Sequence, residues 1–268
     1  MKPLFNIRGE GSFAFIMGIL SGYPMGAKIA ANFRQNNICS KVECERLLSF
    51  TNNSGPLFII GSVGISLFGN SIGFLLLFTH LLASISVGFL FRFWKKNDSK
   101  NFISSSSNIK NRTIKLSSLG EIIGNSIKSS INTILMIGGF VVLFSVILSI
   151  LKTSNLLNIS CYFMKPIFNF FRIPQTFYSG FISGIIELTN GLNIICNIPE
   201  KNISINIIIA SFLLGLGGIS VLLQVWSCIS KTDLSITPYI LGKILQACFS
   251  ALYTWIFINI VPFLNFNL

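Results

Sequence analysis

The chain has 268 residues, 51% of them hydrophobic and 10% charged, with a formal net charge of +12, and its mean hydropathy is +0.72. A soluble domain carries roughly 25% charged residues, so this composition excludes one and predicts an all-α, polytopic integral membrane protein. The basic residues lie between apolar blocks, as the positive-inside rule requires, without the aromatic-interleaved basic platform that holds single strands; the expected surroundings are a lipid bilayer, and nucleic acid is not an expected partner.

The start, MKPLFNIRGEGSFAF, has an acidic residue before its first apolar run and no cleavage site after it. No separate signal peptide is expected, and the first spanning helix would act as its own insertion signal. Gly11 to Phe33 is the first apolar block, broken at Ser21-Gly22-Tyr23-Pro24-Met25-Gly26. Pro24 removes a backbone donor and clashes with the preceding turn. Lys28 follows, and a lysine at that depth either snorkels or faces a polar cavity.

Ser40 and Glu43 read as a capping box opening the helix VECERLLSF. It runs into Asn52-Asn53-Ser54-Gly55-Pro56, five helix-unfriendly residues inside apolar sequence, before Leu57–Phe68 resumes. Backbone exposed in lipid would lose hydrogen bonds at several kcal/mol each, so such a break belongs inside protein or beside a cavity. Ile72–Phe91 is the cleanest spanning helix, with His80 as its only ionisable residue and Arg92, Trp94, Lys95 and Lys96 as an interface anchor. A packed, hydrogen-bonded neutral imidazole is the expected state of His80.

Lys95 to Ser118 carries six basic residues against Asp98 and reads as a flexible cytoplasmic linker. Glu121, Asn125 and Lys128 suggest an amphipathic start on the membrane surface before Ile131–Leu151 spans. Leu156–Phe171 is short and holds Lys165-Pro166, which leaves a tilted, re-entrant or interfacial helix open. Thr176–Cys196 is apolar but broken around Glu187-Leu188-Thr189-Asn190-Gly191. Ser204–Ser230 has Gly215, Gly217 and Gly218 in its middle, with Ser220 and Gln224 beyond, and Ile236–Phe263 is a further spanning helix with Lys243 near its start.

A single shift of 162 positions carries Gly18, Ser21 and Gly22 onto Gly180, Ser183 and Gly184, Ser49-Phe50 onto Ser211-Phe212, and Gly55 onto Gly217. About seven to eight membrane segments in two repeats with broken or re-entrant helices follow: residues 1–94, the linker 95–118, and residues 119–268 with leading amphipathic and spanning helices. If Leu156–Phe171 spans, the repeats would be inverted; if it lies at the interface, parallel. Paired interrupted segments point to a solute site at the midplane.

The candidate site residues are Asn52, Asn53, Ser54, Gly55, Glu187, Asn190, Gly217, Gly218 and Gln224. Glu187 is the one acid inside a predicted span, suited to a proton, a cation or a solute hydrogen bond; the alternative is a structural carboxyl paired with Lys28. The three polar side chains at Asn52–Ser54 and the half-helix N-terminus after them suit an anionic or strongly polar solute, although polar clusters also hold membrane helices together. Backbone groups would do the binding at Gly217 and Gly218, or those glycines serve close helix packing. The six cysteines are scattered and indicate neither a disulfide framework nor a zinc site. No nucleotide loop or nucleophile elbow is visible. No enzyme, cofactor or metal is expected.

SGYPMGAK (Ser21–Lys28), ERLLSFTNNSGPLFIIG (Glu45–Gly61), ELTNG (Glu187–Gly191) and SFLLGLGGISVLLQ (Ser211–Gln224) together resemble the YlbJ family of sporulation integral membrane proteins. That family is grouped with nucleoside-recognition or Gate domain proteins, which include concentrative nucleoside transporters and the membrane part of the ferrous iron transporter. The resemblance implies a multi-pass protein made in the mother cell during spore formation, with dipicolinic acid carried across the outer forespore membrane as the leading activity. Family members begin with further membrane helices ahead of the GEGSFAF-like stretch, so a fragment, a shortened form or a start codon set late is expected here. A structural or assembly protein of sporulation, a nucleoside-type carrier, and a partner-regulated gate or pore are the alternatives. Homo-oligomers or complexes with other sporulation membrane proteins stay open.

Overall fold

The structure, a computed structural model, describes residues 1–69, 72–95, 119–199 and 203–260. All but the first residue of the basic linker, and the last residues of the chain, lie outside these. The described residues form helices α1 (Lys2–Phe5), α2 (Gly11–Ser21), α3 (Met25–Gln35), α4 (Lys41–Phe50), a π-helix (Leu57–Leu67), α5 (Ile72–Phe91), α6 (Leu119–Thr153), α7 (Leu156–Phe170), a 3-10 turn (Gln175–Phe177), α8 (Tyr178–Ile186), α9 (Leu188–Cys196), α10 (Ile203–Leu216), α11 (Gly218–Ile229) and α12 (Thr237–Ile260). Four stretches among the described residues are long and apolar enough to cross a bilayer: Ile72–Phe91, Leu119–Thr153, Ser204–Ile229 and Thr237–Asn259. Helices of this length and composition are those of an integral membrane protein.

The first apolar block is a hairpin and not a crossing. α2 and α3 have 11 residues each, about 16 Å of helix against a hydrocarbon core of roughly 30 Å. They fold back on one another at Gly22 (φ 75°) and Pro24, and a methyl group placed on Gly18 would lie 3.5 Å from Gly26 Cα. α8 and α9, nine residues each, form a second hairpin. There a methyl on Gly191 would fall 2.1 Å from Gly184 Cα, and one on Gly180 within 2.7 Å of Ile195. Small residues let the two arms approach backbone to backbone.

α4 is opened by the capping box its sequence announces: Ser40 Oγ accepts from Glu43 N and Glu43 Oε2 accepts from Ser40 N. After the break the chain resumes as an 11-residue π-helix, a rare geometry. α10 and α11 are the two halves of the second interrupted helix, and α5 and α12 are the uninterrupted helices packed between them.

Polar contacts fix one end of the molecule. Arg46, fully buried, donates to Trp94 O and Asn6 O. Buried Glu45 accepts from Trp94 Nε1, Lys95 Nζ and Ser235 N, and Arg34 pairs with Asp233 at 2.7 Å. The start of α4, the end of α5 and the turn between α11 and α12 therefore share an end, together with a core of Phe5, Phe50, Phe91, Ile229 and Leu234. At the other end Ile59, Val63 and Ile72 pack with Phe177, Ile195 and Ile207. The two interrupted helices thus run antiparallel, and the two hairpins open toward opposite ends.

This corrects the dependence on Leu156–Phe171. With the first block folded as a hairpin, the number of crossings before the second half changes by one. The antiparallel course then needs no crossing by α7, whose 15 residues make about 22 Å. A second correction concerns α6, which is one continuous helix of 35 residues from Leu119, with no separate surface segment before Ile131.

Candidate functional site

The first interruption, Thr51 to Pro56, is buried from Thr51 to Ser54 and held by its own side chains. Asn52 Oδ1 accepts from Ala27 N in the first turn of α3. Asn53 Nδ2 donates to Phe50 O and Ser84 Oγ, and its Oδ1 accepts from Gln246 Nε2 at 2.8 Å. Ser54 N donates to His80 Nε2 at 3.4 Å, which makes that nitrogen the acceptor of a neutral ring and puts the proton on Nδ1. His80 is fully buried, as a packed imidazole would be. The hairpin seats on this segment so closely that a methyl on Gly26 would lie 2.5 Å from Thr51 O, and one on Gly22 2.8 Å from Gly55 N.

The second interruption has no such dressing. α10 ends at Leu216, and Gly217 and Gly218 take φ of 81° and 80°, a left-handed backbone that glycine adopts without cost from a Cβ. No side chain caps α11, so its first N–H groups face away from any intrahelical carbonyl. Ser220 Oγ and Gln224 Oε1 follow on the same helix, buried and without partners, as is Ser183 Oγ on α8 across from it.

Glu187 lies at the tip of the second hairpin, not within a spanning segment. Its carboxylate accepts from Thr189 N at 3.0 Å, Asn190 N at 2.8 Å and Asn190 Nδ2 at 2.7 Å, closing the N-terminus of α9. The break is this one extended residue, and Asn190 and Gly191 belong to the helix that it starts. Lys28 does not pair with it. The ammonium donates to Ser129 Oγ and Thr133 Oγ1 of α6, so α6 is tied to the first hairpin through Lys28 and to the second through Ser145, which accepts from Asn190.

The two interruptions meet at residues not singled out above as site residues. Lys243 on α12 is buried, donates to Gln246 Oε1 at 2.9 Å and to Tyr23 OH at 3.2 Å, and stands over the Tyr23 ring. Tyr23 OH donates to Leu214 O at the end of α10, and a methyl on Gly217 would lie 3.2 Å from that hydroxyl. Gln246 carries the chain on to Asn53 and His80. Asn52 Nδ2, Ser54 Oγ, His80 Nδ1 and Tyr239 OH are buried and make no hydrogen bond of good geometry, though Ser54 lies beside Tyr23 and Asn52 beside Tyr239 closely enough for weak ones. Of the nine candidate residues, Asn52, Asn53, Ser54, Gly217 and Gly218 surround this junction directly. A cavity of about 170 Å³ adjoins it, with Gly218, Tyr239 and Lys243 in its wall.

A signal for Lys243 existed in the sequence. A cation inside a predicted span is as costly as an acid there, so the weight placed on Glu187 applied equally to Lys243. Tyr23 and Tyr239 gave no such signal, since an aromatic beside a proline or a helix start is ordinary.

The chain is 36% identical to the sporulation integral membrane protein YlbJ of Bacillus subtilis strain 168, in an alignment covering 94% of this chain and 65% of that relative. It therefore spans somewhat less than two thirds of the relative's length. No protein-family model matches the chain, and no solved structure matches it.

Proposed function

We propose that this chain, similar over 94% of its length to the sporulation integral membrane protein YlbJ, is a member of that family and a carrier for a small polar or anionic solute in spore maturation, with dipicolinic acid across the outer forespore membrane as the leading case. The observation that carries this reading is the meeting of two helix interruptions in the interior, where Tyr23 and Lys243 join the first to the second. Paired half-helices at a midplane are how carriers present backbone groups to a solute.

On this reading residues 1–94 and 119–268 contain two inverted Gate-like repeats. Each contributes a hairpin, an interrupted helix and a full helix, and α6, with α7, brings the count to about seven or eight membrane segments. The proposed site is the set Asn52, Asn53, Ser54, Gly55, Glu187, Asn190, Gly217, Gly218 and Gln224. Asn53 would shape the first interruption, Glu187 and Asn190 would hold the tip of the second hairpin, and Asn52, Ser54 and Gln224 have polar atoms to spare. The test is uptake of labelled dipicolinate by liposomes containing the purified chain, with nucleosides as the competing solute class. Accumulation of dipicolinate above protein-free liposomes supports the proposal; none, with the protein correctly inserted, overturns it.

A second reading, an assembly protein of sporulation, is favoured by one surface. Tyr162, Phe163 and Phe170 of α7 are 73–81% exposed, and such aromatic faces suit a protein partner as well as lipid. Spores lacking the chain would then fail in protein assembly, and external dipicolinate would not restore them.

A further inference from the structure

We propose that Lys243 is the proton-binding residue of this carrier, and that its proton latches the first hairpin to the end of α10 through the hydroxyl of Tyr23. The inference rests on the carrier reading and adds to it a coupling ion and the contact through which that ion acts.

The surroundings of Lys243 set it apart. It is 3% exposed. Among the described residues, ion pairs join Arg8 to Glu43, Arg34 to Asp233 and Lys95 to Glu45, and none involves Lys243. Its partners are a phenol and an amide oxygen. The helices packed on α12 are α10, α5 and α4. α10 carries no titratable side chain, and α5 carries His80 alone. In α4 they are Lys41, Glu43, Cys44, Glu45 and Arg46, all in its first six residues. Lys243 stands beside the other end of that helix, where a methyl on Gly242 would lie 2.3 Å from Ser49 O. The hairpin tip adds Tyr23, and α12 itself adds Tyr239 one turn away. An ammonium buried with neutral partners alone is costly, and an apolar side chain would avoid the cost. Ionisable residues kept inside a membrane protein mark ion and proton pathways.

The hydrogen bonds then depend on the proton. An ammonium has donors only, so Gln246 Oε1 and Tyr23 OH accept from it, and the single proton of the phenol is left for Leu214 O at 3.2 Å. That carbonyl is among the last four of α10, which lack intrahelical partners. Leu213 O takes Gly217 N, and Tyr23 caps its neighbour. As an amine, Lys243 keeps a donor for Gln246 but gains a lone pair more basic than a carbonyl oxygen. The phenol proton then turns from Leu214 O to Nζ, and the end of α10 is uncapped. The proton lost by Lys243 passes to water by way of the cavity between α11 and α12, whose wall it shares.

A second hold goes with the charge. The ammonium lies 4.9 Å from the centre of the Tyr23 ring, an attraction that a neutral amine does not supply. Loss of one proton therefore loosens the hairpin tip twice, at the point where Gly217 (φ 81°) interrupts the second helix. A carrier needs its two halves to shift against each other between loading and release, and this contact joins them.

The experiment follows hydrogen exchange by mass spectrometry in the full chain, in lipid nanodiscs, between about pH 5 and pH 10, with rates corrected for the intrinsic effect of pH. In the wild type, protection from Leu213 to Ile219 is expected to fall at least about threefold as pH rises, while that of α5 stays level. Lys243→Met holds no proton and Tyr23→Phe has no hydroxyl, so both are expected to show the low value at every pH. Should Lys243→Met fail to fold, Tyr23→Phe decides, since its ring keeps the same shape.

A wild-type chain whose protection at the end of α10 ignores pH overturns the proposal, as does a Tyr23→Phe profile that still follows pH. Dipicolinate uptake by liposomes over the same pH series separates the two readings. Protection that follows pH through Lys243 without any uptake keeps the proton site and overturns the carrier. Uptake with a flat profile at the end of α10 keeps the carrier and overturns the latch.

Discussion

Between Phe50 and Leu57 the chain answers its exposed peptide groups with amide side chains, whereas between Leu216 and Gly218 it leaves glycine alone. In the first interruption Asn53 makes contacts to Phe50, Ser84 and Gln246, and His80 accepts from Ser54 N. In the second, Ser220 Oγ and Gln224 Oε1 are buried without partners and α11 is uncapped. The same interruption of a helix thus has two physical outcomes. The first break is braced by side chains from α5 and α12, although Asn52 Nδ2, Ser54 Oγ and His80 Nδ1 stay unmatched there. The second has no such bracing, and in both each unmatched buried group carries a desolvation penalty that only a hydrogen bond relieves. The tight hairpins on both sides hold the two breaks in register.

The sharpest way to break the comparison is at the close approaches both halves share. A side chain on Gly18 would meet Thr51 O at 1.9 Å, and one on Gly191 would meet Gly184 Cα at 2.1 Å. In both cases the obstruction is backbone that cannot rotate away. Gly18→Val and Gly191→Val are each expected to abolish folding, read as loss of monodisperse protein on gel filtration; a folded variant from either would dismantle the corresponding hairpin.

The next largest effect separates the two breaks. Asn53→Ala removes three hydrogen bonds, while Ser84 Oγ keeps its bond to Phe50 O and Gln246 Nε2 its contacts with His80, so a loss of about 1–3 kcal/mol is expected in thermal unfolding. Gln224→Leu removes a group whose carbonyl oxygen is already unmatched, and its stability is expected to stay within about 1 kcal/mol of wild type while solute uptake falls. Equal destabilisation by the two would erase the distinction between a break braced by side chains and one left to glycine.

A smaller effect belongs to Glu187. As the cap of α9 its replacement by alanine is expected to cost about 0.5–2 kcal/mol. Glu187→Gln keeps one acceptor and should lie between Glu187→Ala and the wild type. A glutamine variant less stable than the alanine one would contradict the cap.

The smallest expected effect is at the outer end, where Arg34 and Asp233 pair on the surface. The Arg34 guanidinium holds the Asp233 carboxyl below its usual value, and Asp233 in turn raises Arg34. A depressed carboxyl contributes stability that is present above its unfolded pKa of about 3.9 and lost as pH falls through its folded value. Both partners are partly exposed, so Asp233→Asn is expected to cost at most about 1 kcal/mol at neutral pH and progressively less as pH falls below about 3.9. A loss that did not shrink on acidification would assign the effect to packing.

Sequence alone determined the membrane class, the capping box at Ser40, the spanning helix Ile72–Phe91, and three of the four helix breaks to within a few residues. These are local matters. Apolar length, proline, glycine and a capping pair act on their own neighbours, so the chain's order of residues is enough to read them. The fourth break, at Glu187, was placed too broadly, because the acid seen as an intruder in a span is the cap that starts the next helix.

What only the tertiary structure decided is which pieces cross and what faces what. An apolar block interrupted at Gly22–Pro24 is written the same way whether it crosses or turns back, and its folding as a hairpin depends on glycines meeting Thr51 from another helix. The partners of the first break, His80, Ser84 and Gln246, come from α5 and α12. Lys243 joins a break 220 positions away, through Tyr23. Burial and pairing of charge are properties of packed neighbours distant in sequence, and for that reason the junction at Lys243 had to be seen folded.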